Sequence, residues 1–292
     1  MELVIDEALC QVQLFRLEFL SNTQLAESLK SESRSGKAVV LKNQQQMYRV
    51  KSLVRMLNDC AGSSADAESS KSQVIKQTIS ADSKSLYSAM FEPKFIKATQ
   101  AFYERQQQKQ MRIFNVDKYI KSVDLIFDYE DYLIENYLDT LSFSLVNSCV
   151  YEYMIKNCHQ ELLNSGLPGL LNSRQYHSII LLYSYMHDTE LLPQLKAAWS
   201  QYIHDRGVYY LKGLKPSRQS VMAVVGQIID LKILTDTVIN DCFQRNISLR
   251  NAQMQSFQEF CNKQGQQSKI AQIMSMYIDC FARRDYEAAC LK

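Results

Sequence analysis

Apolar residues recur along this chain at every third or fourth position and seldom alternate one by one. That spacing follows the α-helical period of about 3.6 residues, so it predicts helices rather than strands. The clearest stretch is 116–138, where Val116, Tyr119, Ile120, Val123, Ile126, Phe127, Leu133, Ile134, Tyr137 and Leu138 fall mostly on one broad face. Earlier in the chain, 8–30 and 37–60 read as helices divided by Gly36. Residues 61–72 are small and polar, bury too little apolar surface to offset their ordering entropy, and read as a mobile loop. A long helix is predicted over 73–109, with Pro93 marking a kink or break because it lacks an amide donor.

The second half continues in the same way. A helix over 141–164 is expected to end at the run Ser165 to Gly169, where Gly and Pro break the pattern. The next covers 173–187 with Tyr176, Ile179, Ile180, Leu182, Tyr183 and Met186 on its stripe. Another covers 190–206 and is expected to stop at Gly207. Ser217 is a candidate N-cap for a helix to 245, since its hydroxyl can accept a bond from a first-turn amide. Helices over 248–262 and 268–284, separated by Gly265, complete the set. No strand hairpin is evident, and about ten helices with short connectors predict an all-α fold, either an α-solenoid of stacked bundles or one long bundle.

Composition agrees with this. Only 8 Gly and 4 Pro occur in 292 residues, too few for many tight turns, and 46% of residues are hydrophobic, enough for a real core. The 33 basic and 31 acidic residues are interleaved, with net charge +2, which does not point to nucleic acid. No run of about 18 uncharged apolar residues spans a membrane. Met1 is followed by Glu2, Asp6 and Glu7 rather than a basic segment, so no signal peptide is expected. The 8 Cys include no C-x-x-C pair, and they read as reduced and mostly buried in a cytoplasmic or nuclear protein.

Candidate chemistry is sparse. The 4 His are His159, His177, His187 and His204. Cys158 and His159 are the tightest metal-like pair, but neighbours on a helix point about 100° apart, so a half-buried His beside a core Cys is the expectation. Cys242, Cys261 and Cys280 are evenly spaced on apolar helices and read as packing residues. No phosphate-binding glycine loop or nucleophile elbow occurs. Glu130 and Asp131 read as an acidic pair on a solvated helix face. Trp199, among Leu195, Tyr202 and Ile203, reads as a core or inter-helix contact, and the Gln-rich 105–110 as polar surface. The 17 Tyr favour a partner-binding surface. No catalytic, metal or cofactor residue is assigned and no cofactor is expected, so the chain reads as a non-enzyme.

The order of the packing residues resembles the cullin family. Tyr87, Phe91-Glu92, Phe95-Ile96, Thr99 and Phe102-Tyr103 match a cullin helix signature, followed by Val116, Tyr119-Ile120 and Tyr137-Leu138. Cys149, His159, Leu170-Leu171, Tyr183, Leu195, Trp199-Ser200, Tyr202-Ile203 and Gly207 continue in the family's order. The Trp-Ser run, with Gly166-Leu167, looks most like the cullin-four branch. Asp230-Leu231-Lys232, Cys242-Phe243, Asn246, Phe257, Glu259-Phe260, Asn262, Ile270-Ala271, Tyr277 and Asp279 resemble the end of the stalk. Leu14-Phe15-Arg16, Arg34, Gly36 and 54–57 are also cullin-like, while Ser33 and Leu249 depart from the pattern and suggest a divergent member.

The resemblance implies an elongated helical stalk of stacked five-helix cullin repeats, one over 1–140 and one over 141–292. It implies a scaffold subunit of a cullin-RING ubiquitin ligase that holds a substrate adaptor and a RING module apart, with adaptor, RING subunit and cullin regulators as partners. The adaptor surface and the RING-binding region fall outside the matched part of the family pattern, so no binding residues are assigned. The chain is expected to be a fragment of a longer cullin or a short cullin-like protein that binds ligase components without ligase activity. An unrelated helical adaptor or tethering rod is the alternative.

Overall fold

The computed structural model describes residues 1–21, 44–59, 85–112, 115–212, 217–262, 271, 273, 275–279 and 282. Among these, every regular element is helical. The chain divides into two compact units, one of Met1–Phe114 with Lys121–Cys158, the other of Asn115–Ile120 with His159–Lys292. The expected loop at 61–72, Gly36, Gly265 and Cys280 lie outside the described residues.

The first unit is built from α1 (Glu2–Ser21), α2 (Gln44–Asp59), α3 (Glu92–Met111), most of α4 (Val116–Tyr137) and α5 (Phe143–Met154). α1 begins six residues ahead of the predicted start. The stripe read from the sequence of α4 is the buried one: Tyr119, Ile120, Val123, Ile126, Leu133, Ile134 and Tyr137 are all buried. In the first unit Leu133, Ile134 and Tyr137 meet Ile5 and Val12 of α1, Met47, Val50 and Leu57 of α2, and Phe91 and Phe95. Each such side chain contributes about 1.5–3 kcal/mol on burial. Aromatic pairs add geometry: Phe19 stacks on Tyr129 at 4.0 Å between centroids.

At Pro93 the expected kink or break is a change of turn geometry, with helical structure on both sides. The turn Tyr87–Phe91 is a widened π-turn, closed by the Glu92 amide donating to the Tyr87 carbonyl, and Pro93 sits in the first turn of α3 beyond it. A proline ring collides with the carbonyl four residues back in an α-helix. The wider turn moves that carbonyl aside. The same device recurs in the second unit. Leu162–Gly166 is a π-turn closed by Leu167 N–H on the Leu162 carbonyl, and Pro168 follows in α6 (Leu167–Asn172). Ser165 to Gly169 therefore does not end the helical path, contrary to the sequence expectation. The predicted 141–164 helix is instead divided into α5, short helical turns at Lys156–Cys158 and His159–Glu161, and the π-turn.

The second unit continues with α7 (Tyr176–Met186), α8 (Leu192–Lys212), α9 (Arg218–Thr237) and α10 (Ile247–Asn262), and α8 and α10 form its most extensive helix pair. Gly207 lies inside α8 rather than at its end. A Cβ there would meet the Phe260 ring at 2.5 Å, so the glycine permits the close approach of α10. Close tertiary contact explains this Gly, where sequence alone suggested a helix stop. Ser217 stands in extended backbone at the start of α9, but its side chain makes no capping bond. α9 passes into a π-turn at Val238–Cys242, and helical structure ends there because Gln244 and Arg245 adopt positive φ of 49° and 58°. The Arg245 amide donates to the Ile239 carbonyl at 2.9 Å and closes the end. Trp199 is fully buried, edge-on to Phe243 at 5.2 Å, as expected of a core residue. Ile273 and Tyr277 pack on Val221 and Val225 of α9.

Candidate functional site

The polar centre of the first unit was missed by the sequence reading. Arg16 occupies the buried stripe of α1 with Ile5, Val12 and Phe19, and its side chain is 1% exposed. Its Nε and Nη2 donate to the two carboxylate oxygens of Glu130, each at 2.7 Å, a bidentate pair. Nη1 donates to Thr99 Oγ1 at 2.9 Å, and Thr99 donates in turn to the Phe95 carbonyl at 2.8 Å. The Tyr103 hydroxyl donates a short bond to Glu130 Oε1. The rings of Phe95, Phe102 and Tyr103 lie 5.2, 5.7 and 5.6 Å from the guanidinium carbon.

Glu130 is thus wholly buried, which overturns its assignment to a solvated acidic face. Asp131 is half-buried and accepts from Asn147 Nδ2 at 3.0 Å. The signal was present: Ile126, Glu130, Leu133 and Tyr137 share one helical stripe, as do Val12, Arg16 and Phe19. Opposite charges at core positions of two helices imply a buried pair.

Electrostatics fit a closed structural pair rather than a reactive one. Burial, the largest single influence, would lower the Arg16 pKa, but the Glu130 carboxylate together with Tyr103 and Tyr129 outweighs it and holds the guanidinium above its usual range. Burial, then the Glu130 charge, push Tyr103 well above the normal tyrosine value. The cluster ties α1 to α3 and α4. A second polar chain pins the corner before α5. The Tyr87 hydroxyl bonds Ser142 Oγ at 2.8 Å, and Ser142 donates to Glu92 at 2.7 Å. Asp139 receives Asn58 Nδ2 at 2.6 Å and the Leu141 amide at 2.9 Å, fixing the end of α2.

The other candidates separate. Cys158 is buried and its thiol donates to the Met154 carbonyl at 2.9 Å, while His159 is half-buried. Burial pushes the Cys242 thiol up to about 11, with Asp241 adding to it. Cys261 is half-buried and its thiol is also raised by burial. His187 and His204 each lie beside the aspartate that follows them, at 2.8 and 3.5 Å, and His177 is exposed. Among the described residues, no group of three His, Cys, Asp or Glu is placed to hold a metal ion. No described helix is long and apolar enough to cross a membrane. Among the described residues, the first unit has a groove of about 290 Å³ between α1 and α2, lined by Val4, Glu7, Ala8, Arg49, Val50 and Leu53 among others.

Comparison with known proteins gives this helical framework a family. Human Cullin-4A is 27% identical over 195 residues, covering 66% of this chain and 25% of that protein. Cullin-4 of Dictyostelium discoideum is 22% identical over 189 residues, covering 65% of this chain and 23% of its own length. Cullin-3A of Arabidopsis thaliana is 25% identical over 199 residues, covering 67% and 27% respectively. The chain thus spans about a quarter of the length of the curated relatives it matches. The model of the Cullin alpha solenoid domain matches residues 9–289. A solenoid is a stack of helical repeats, in agreement with the all-α fold class expected from periodicity. With that domain extending over nearly all of its 292 residues, the chain belongs to the cullin family.

Proposed function

We propose that this chain is a non-catalytic scaffold segment of a cullin-RING ubiquitin ligase, working in ubiquitin-dependent protein degradation. The match of the Cullin alpha solenoid domain over residues 9–289 carries this reading. Its partners are then a substrate adaptor, a RING subunit that recruits the conjugating enzyme, and cullin regulators, in the cytoplasm, the nucleus or both. The mechanism is spatial. A scaffold that keeps the substrate lysine near the charged enzyme raises effective concentration, and it does so only if it holds its geometry. The buried Arg16–Glu130 pair, fixed by Thr99 and Tyr103, supports such stiffness in the first unit. Two successive repeats, over 1–140 and 141–292, are supported by the division into two compact units, although that division falls after Cys158.

Affinity purification of the gene product from its own cells, followed by mass spectrometry, tests this. Co-purification of a RING subunit with a propeller-type adaptor is the expected result. An adaptor without a RING subunit identifies a chain that binds ligase components without ligase activity. Neither component, with a clean set of other proteins, leaves a tethering rod and ends the ligase reading.

A further inference from the structure

We draw no further inference here: the strongest candidate, the exposed basic face of α3 that carries Lys97, Arg105 and Lys109, is a surface patch, and nothing among the described residues shows what covers it.

Discussion

Arg16 and Glu130 stand 114 residues apart in sequence, yet the Arg16 Nε lies 2.7 Å from the Glu130 carboxylate in the interior of the first unit. Each serves as the other's counterion there, and Thr99 and Tyr103 take further hydrogen-bonding positions around them. Desolvating two charges offsets much of their attraction, so such a pair specifies which helices meet more than it stabilises their meeting.

Breaking that pair from one side is therefore the severe change. Glu130→Leu or Arg16→Met alone is expected to cost about 3–5 kcal/mol, because each leaves a buried charge without a counterion. The double variant is expected to cost less than either single one. It will not reach wild-type stability, since the Tyr103 hydroxyl loses its acceptor. Urea unfolding of the three variants, read as a double-mutant cycle, checks this.

Two helix-interior glycines are expected to respond with opposite sign to alanine. At Gly207 a Cβ would meet the Phe260 ring at 2.5 Å, so Gly207→Ala is expected to destabilise by about 1–3 kcal/mol despite better helix propensity. Shortening the ring with Phe260→Leu should recover part of the loss. At Gly226 nothing lies within 4 Å of that position, and Gly226→Ala is expected to stabilise by about 0.5–1 kcal/mol. Thermal melts of both variants separate the two cases.

The buried tyrosines make stability fall in alkali. Burial pushes Tyr87 up to about 12, and Tyr103, Tyr129 and Tyr137 also rise above the ordinary 10.0. Above that ordinary value the unfolded chain loses these protons while the folded chain keeps them. Unfolding is then favoured by rising pH, and the stability present below pH 10 is progressively lost. Denaturation midpoints at about pH 9 and about pH 11 should fall accordingly, with tyrosinate absorbance appearing together with unfolding. A flat midpoint over that range would contradict the assigned burial.

Thiol reactivity should follow exposure. Cys10 is exposed, while Cys158 and Cys242 are buried, and the Cys242 thiol is raised to about 11. Brief alkylation at neutral pH is expected to modify Cys10 and spare Cys158 and Cys242 until denaturant is added, as peptide mass mapping would read.

Periodicity carried much of the fold because burial on a helix depends on spacing. The α4 stripe and the core position of Trp199 both followed from it. It failed where a residue's type masked its place on the stripe. Glu130 was assigned to solvent for its charge, although it stands in line with Ile126, Leu133 and Tyr137. Local breaker rules failed for a different reason. Gly207 and the Ser165 to Gly169 run are exceptions made by neighbours and by a wider turn, and neither Phe260 nor the turn geometry is visible in the local sequence. The groove between α1 and α2 was equally hidden, since tertiary packing and not local sequence decides which flanks of two helices meet.

The π-turn at Tyr87–Phe91 preserves the angular phase of the helix that follows. Tyr87, Phe91 and Phe95 succeed each other in steps of four, and their rings stack at 5.2 and 5.8 Å. The five residues of the wider turn advance about as far around the axis as four residues of a regular α-helix, so the turn takes up one extra residue without rotating the helix beyond it. Deleting one residue there would restore α geometry and leave Phe95, Thr99, Phe102 and Tyr103 in nearly the same phase, still directed at Arg16. Ala89 is exposed, and its removal would spare that core, whereas a deletion within the regular turns of α3 would rotate every residue beyond it by about 100°. The turn is the place along this helix where the chain tolerates a change of length.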